Sequence, residues 1–201
     1  MPRIIGLTGN IACGKTSVGQ MLLELGAERY IDADALVHQL YEPDQPVTQQ
    51  IVAQFGPDLL TADGRIDRKR LGNLVFQDAE ALRQLERIVH PAVAQTVRRE
   101  IARASDAGIV ILDAVKLLEG GSAALCTSKW LVICPEEQEL ARLMLRNHLS
   151  EQDARLRLAA QPSVAARLPL VDEVIENCGS LAATYQQVKA AFQRFCTAFP
   201  V

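Results

Sequence analysis

The chain has 201 residues, with 21 basic and 24 acidic side chains and a formal net charge of −3. An apolar share of 49% at so small a net charge excludes a disordered chain, and the lack of a basic surplus excludes a general nucleic-acid coat. No run approaches the roughly 20 apolar residues of a membrane span, and the first residues lack a signal peptide's apolar stretch, so a cytoplasmic protein with no membrane partner is expected.

Gly and Pro divide the sequence into short apolar runs that alternate with helical patterns. Arg3 to Thr8 reads as a buried strand. Val18, Met21, Leu22 and Leu25 then recur at helical spacing, with Gly26 as a natural stop. Tyr30-Ile31 is a second short strand, ending on Asp32-Ala33-Asp34. The region 42–105 has helical stripes and no convincing strand, so it reads as a helical insertion. Within it, His90-Pro91 is expected to be a helix junction, because proline restricts the residue before it. Ile109 to Leu112, Trp130 to Ile133 and Glu173 to Glu176 are three further strands, ending at Asp113, Cys134-Pro135 and Asn177. Between the last two lies a helical stretch from Glu136 to about Arg167. Its second helix opens on the capping-box-like Ser150-Glu151-Gln152-Asp153. A last amphipathic helix covers about Leu181 to Phe195. Apolar strands separated by helices predict a parallel sheet covered on both faces, with ligands beyond the carboxyl ends of the strands. The five cysteines, Cys13, Cys126, Cys134, Cys178 and Cys196, show no zinc spacing and read as reduced thiols.

One motif carries chemistry directly. Gly9-Asn10-Ile11-Ala12-Cys13-Gly14-Lys15-Thr16 fits G-x-x-x-x-G-K-[ST] without a mismatch, between a strand and an amphipathic helix. The glycines permit a tight loop whose N–H groups wrap a phosphate, and the helix N-terminus adds positive potential. Lys15 supplies a point charge for the β- and γ-phosphates, and Thr16 offers its hydroxyl to Mg²⁺. The motif specifies a nucleoside triphosphate and leaves the acceptor open.

Around it stand groups with two readings each. Asp32 and Asp34 are placed by i, i+2 spacing on one face of an extended segment. Either one fits a base for an acceptor hydroxyl, and either fits a helix cap. Asp113 ends the most apolar strand, as a Walker-B-like carboxylate or as a loop cap. Arg142 and Arg146, four apart on a helix, suit a lid over phosphates or a solvated face. Arg65, Arg68, Lys69 and Arg70 form a basic cluster that fits an anionic substrate or, again, solvent. Cys13, inside the loop, is a small filler or a thiol of lowered pKa.

The chain resembles bacterial dephospho-coenzyme A kinases over nearly its whole length. The carrying segments are Ile5-Gly6-Leu7-Thr8-Gly9 with the phosphate loop, Ile31-Asp32-Ala33-Asp34, Asp63-Gly64-Arg65-Ile66-Asp67-Arg68, Leu71, Val75-Phe76 and His90-Pro91. They continue through Leu117, Glu119, Gln138, Arg142, Arg146, Gln161 and Val174-Ile175-Glu176-Asn177. The resemblance implies a P-loop α/β fold with a five-stranded parallel sheet, a helical insertion and a helical lid. Its parts are then a nucleotide core over 1–41, 106–135 and 168–201, a substrate domain over 42–105 and a lid over 136–167. It implies transfer of the ATP γ-phosphate to the ribose 3′-hydroxyl of dephospho-CoA, with Mg²⁺ at Thr16. Asp34 becomes the base, with Lys15 and Arg142 beside it in catalysis. The loop from Gly9 to Thr16, with Ser17, Arg142, Arg146 and Asn177, becomes the ATP site. Thr8, Asp32, Asp34, Arg65, Arg68, His90 and Asp113 become the acceptor site.

The sequence departs from the family's usual pattern at several positions. The loop usually reads Gly-Gly-Ile-Gly-Ser-Gly-Lys-Ser, so Asn10, Ala12, Cys13 and Thr16 differ. His38 stands where an Arg is common. Val115 and Lys116 replace the Pro-Leu of a segment bordering the acceptor. Three rivals remain. A GTPase switch would need Asn-Lys-x-Asp, which is absent. A nucleoside kinase sits poorly with the helical insertion. A non-catalytic paralogue is kept in play by Val115 and Lys116. Of the 21 basic residues, 16 are Arg and 5 are Lys. Arg65, Arg68, Arg142 and Arg146 fall where a kinase would use them.

Overall fold

The strand Arg3–Gly9 (β1) is buried from Ile4 onward and forms the centre of a five-stranded sheet. Arg29–Asp32 (β2), Ile109–Asp113 (β3), Ser128–Ile133 (β4) and Glu173–Glu176 (β5) complete it, in the order β2-β3-β1-β4-β5. Every pairing is parallel. The computed structural model describes residues 1–119 and 121–200. Gly120 and Val201, both expected in the nucleotide core, lie outside the described residues.

The helices follow from local sequence. Lys15–Glu24 (α1) ends in a Schellman turn, in which Gly26 N–H donates to Leu23 O and Ala27 N–H to Leu22 O, as the placement of Gly26 suggested. Ala33–Leu40 (α2) follows β2 with no intervening loop. Pro46–Phe55 (α3) starts on proline, and Arg68–Gln77 (α4) is capped by Asp67, whose carboxylate accepts from the Lys69 and Arg70 amides. Ala79–Ile101 (α5) is a single helix of 23 residues with Pro91 inside it. The expected junction at His90-Pro91 is therefore absent. Leu82, Leu85, Ile88, Val89 and Val93 give α5 a continuous apolar stripe, and its packing outweighs the one hydrogen bond that proline removes. Glu136–Asn147 (α6), Glu151–Ala159 (α7), Val164–Arg167 (α8) and Leu181–Ala198 (α9) complete the chain. Ser150, Ser163 and Ser180 cap the last three, each accepting from the amide three residues on.

Internal contacts divide the chain into two units. The first comprises residues 1–32 and 101–201, the second residues 33–100. In the first, Ile5, Leu7, Ile109, Ile111, Trp130, Val132 and Ile175 line one sheet face. They pack on Val18, Met21 and Leu22 of α1 and Val188, Phe192 and Phe195 of α9. Trp130 meets Phe195 edge to face, with ring centroids 6.4 Å apart. The second unit has its own core of Val47, Ile51, Leu59, Ile66, Leu71, Val75, Ala81 and Val89, with Val37 and Leu40 of α2 packed on it. Among the described residues, no helix is long and apolar enough to cross a membrane.

Candidate active site

The loop from Gly9 to Gly14 leaves the end of β1 and delivers the chain into α1. Gly14 has φ 100°, and a Cβ there would run into the Asn177 side-chain amide. Only glycine satisfies both conditions. A Cβ on Gly9 would meet the Val132 carbonyl of the neighbouring strand. Ala12 adopts φ 65°, a left-handed conformation that costs a non-glycine residue about 1–2 kcal/mol. Lys15 Nζ donates to Gly9 O at 3.0 Å and Asn10 O at 3.4 Å, which folds its stem back along the loop.

A set of side chains from the C-terminal half of the first unit holds this loop. Asn10 Nδ2 donates to Glu139 Oε2 of α6 at 3.2 Å, and its Oδ1 accepts from Arg167 Nη1 at 3.1 Å. Gln161 Oε1 accepts the Ile11 N–H at 2.7 Å. Arg142 Nη1 donates to the Ala12 and Cys13 carbonyls, both at 3.4 Å, and its Nη2 donates to Gln138 at 3.1 Å. Asn177, buried after β5, donates to Cys13 O at 2.8 Å and accepts from Thr184 Oγ1 at 3.0 Å. Asn177 was expected to touch nucleotide; it stands under the loop with both ends of its amide engaged by protein. Arg142 reaches the loop carbonyls. Arg146, one turn on, is exposed, and its Nε donates to Asn147.

Burial tunes the titratable groups here. The Cys13 thiol is fully buried and pushed up to about 11 by desolvation, with the Lys15 charge pulling the other way. It is a filler, not a reactive thiolate. The Glu139 carboxyl is raised by burial as well, against the hydrogen bond from Asn10.

Three strand ends meet beside the loop. Asp113 lies in register with Leu7 on one side and Asp32 on the other. It is 4% exposed and accepts a hydrogen bond from the Tyr30 hydroxyl. Asp32 is exposed at the end of β2. Asp34 does not share an extended segment with it, because the helix begins at Ala33 and Asp34 sits in its first turn. The acidic side chain there favours the helix N-terminus. Thr8, expected beside the acceptor, is fully buried and donates to Val115 O at 3.1 Å, tying β1 to the segment after β3.

The remaining expected positions belong to the second unit. Arg65 pairs with Glu42 at 2.9 Å and Asp63 at 3.4 Å. Arg65, Arg68, Lys69 and His38 line an open pocket of about 470 Å³ with Tyr41 and Thr61. His90 is exposed halfway along α5. Sequence reasoning missed Arg167 and Glu139, and it gave Tyr30 no role beyond its strand. The only signal for the first two is an unusually polar loop residue, Asn10, whose amide needs partners.

A triphosphate-gripping loop feeding a helix N-terminus, with carboxylates at the neighbouring strand ends of a 2-3-1-4-5 parallel sheet, defines a P-loop kinase. The family model of dephospho-CoA kinase, CoaE, matches residues 3–183. A dephospho-CoA kinase of Symbiobacterium thermophilum is 44% identical over 96% of this chain and 82% of its own. Among solved structures, the protein TT1252 from Thermus thermophilus superposes with a TM-score of 0.85 at 32% identity, covering 96% of this chain and 97% of that one. The dephospho-CoA kinase from Campylobacter jejuni gives a TM-score of 0.71 at 27% identity, covering 98% and 99%. The chain belongs to the dephospho-CoA kinase family, whose members use ATP as phosphoryl donor.

Proposed function

We propose that this chain transfers the γ-phosphoryl group of ATP to the ribose 3′-hydroxyl of dephospho-CoA in the cytoplasm. The observation that carries this is the family match from residue 3 to residue 183, which spans both the phosphate loop and the helical unit. Loop N–H groups and Lys15 would hold the phosphates, and Arg142, already against the loop, would offset charge on the transferred group. Asp34 serves as the base for the acceptor hydroxyl. In the helical unit, Arg68 and Lys69 stand with Arg65, itself paired to Glu42, around a pocket that would take an anionic acceptor, and residues 136–167 act as the lid.

Mg²⁺ fits the residues present. The Thr16 hydroxyl, in the first turn of α1, and the Asp113 carboxylate, at the end of β3, are hard oxygen donors. Among the described residues no cluster of three His, Cys, Asp or Glu offers a protein-only cage. That suits an ion held by phosphates with one or two protein oxygens. When bound, it would neutralise phosphate charge.

A coupled assay with ATP, Mg²⁺ and dephospho-CoA tests the proposal directly. Turnover of a nucleoside but not of dephospho-CoA would refute it, as would nucleotide binding without any turnover. Asp34→Asn is expected to lower kcat by about 10²–10⁴-fold while sparing ATP affinity. Full activity in that variant, with loss in Asp32→Asn, would move the base to Asp32.

A further inference from the structure

Tyr30 has no place in the chemistry described so far, yet the fold makes specific room for it. Its ring lies against α1 at Gly19, where a Cβ would collide with two ring carbons. Glycine inside a helix costs about 1 kcal/mol relative to alanine, so the slot is maintained against local preference. The Tyr30 hydroxyl donates to the Asp113 carboxylate. A phenol has one hydrogen, and Asp113 takes it.

We propose that Tyr30 is a positioning residue for the cation site: its ring is seated in the Gly19 slot and its hydroxyl donates to Asp113, which fixes that carboxylate. The consequence is directional. Asp113 is held in one orientation without using a second charge.

This inference rests on the Mg²⁺·ATP reading above, and the experiment separates the two. ATP binding to the full chain is measured by calorimetry in EDTA and in Mg²⁺, for wild type, Tyr30→Phe and Gly19→Ala. Gly19→Ala keeps the hydroxyl but displaces the ring, and its alanine favours the helix, so it covers the case in which Tyr30→Phe folds poorly. Both variants should bind ATP in EDTA within about twofold of wild type. Each should lose about tenfold of the affinity that Mg²⁺ adds, the size of one hydrogen bond to a charged group. In turnover, kcat at limiting Mg²⁺ should fall and recover at high Mg²⁺, with the KM for dephospho-CoA unchanged. A wild-type Mg²⁺ response in either variant overturns the role of Tyr30. A wild-type protein indifferent to Mg²⁺ overturns the cation reading itself.

Discussion

Arg167 offers the sharpest test of how the phosphate loop is held. It is 2% exposed, the only arginine among the described residues buried to that degree. Its guanidinium has three partners: Asn10 Oδ1 at 3.1 Å, Val115 O at 3.3 Å and Glu119 Oε1 at 3.5 Å. Replacing it with methionine, which fills similar space, does not orphan them equally. Val115 O keeps the Thr8 hydroxyl. Glu119 is 39% exposed, so its carboxylate returns to water at little cost. Asn10 Oδ1 alone loses a charge-assisted bond that has no replacement, worth about 1.5–3 kcal/mol. Methionine needs no desolvation of a cation, which offsets part of this, so a net loss of about 2 kcal/mol is expected. For a chain of this length, that lowers Tm by about 4–8 °C. The loss falls on the loop, so the KM for ATP should rise about tenfold. Arg167→Lys should recover less than half of either effect, because one ammonium cannot reproduce the fork. Calorimetric melting and steady-state kinetics read both. A methionine variant with unchanged Tm and unchanged ATP KM refutes the idea that Arg167 holds the loop.

Three further outcomes follow from the same site. Gly14→Ala should cut kcat/KM for ATP by at least about tenfold, since it combines left-handed strain with a clash against Asn177; an active variant would show that the loop can refold around a side chain. Burial raises the Glu139 pKa, so the folded state prefers the protonated carboxyl, and that contribution is lost as pH rises through the raised pKa. Glu139→Gln, permanently neutral, should therefore gain stability relative to wild type as pH rises above the ordinary glutamate range, and a pH-independent difference in Tm would count against it. Iodoacetamide near neutral pH should label exposed Cys178 and leave Cys13 unmodified until the protein unfolds, by peptide mass analysis.

What the sequence displays depends on the range of the interaction. The five strands are legible because β-branched apolar runs such as Ile109-Val110-Ile111-Leu112 have few other uses. The phosphate loop is legible because backbone geometry and ligand chemistry coincide in eight consecutive residues. Pro91 misleads, because a local preference of the preceding residue yields to the packing of a long apolar stripe on α5. Asp34 misleads for a related reason. Spacing of two implies a shared face only if the strand continues, and here it stops at Asp32. The Asn10–Arg167 pair spans 157 positions and the Tyr30–Asp113 pair 83, so neither leaves a local trace.

The departures from the usual family loop bear on this last point. Asn10 stands where glycine is common, and a polar side chain added to a phosphate loop would ordinarily compete with its own backbone for hydrogen bonds. It does not do so here, because Glu139 takes one end of its amide and Arg167 the other. Cys13 replaces serine at a fully buried position, where a thiol costs less to desolvate than an unpaired hydroxyl. Ala12 keeps the left-handed turn of the glycine it replaces and carries the strain. Of these three changes, the Ala12 one alone is uncompensated, at about 1–2 kcal/mol. The other two come with partners or surroundings that absorb them, so the phosphate-binding shape persists through a changed sequence. Asn10 also adds something the glycine could not. It ties the loop to α6 and α8 through two hydrogen bonds.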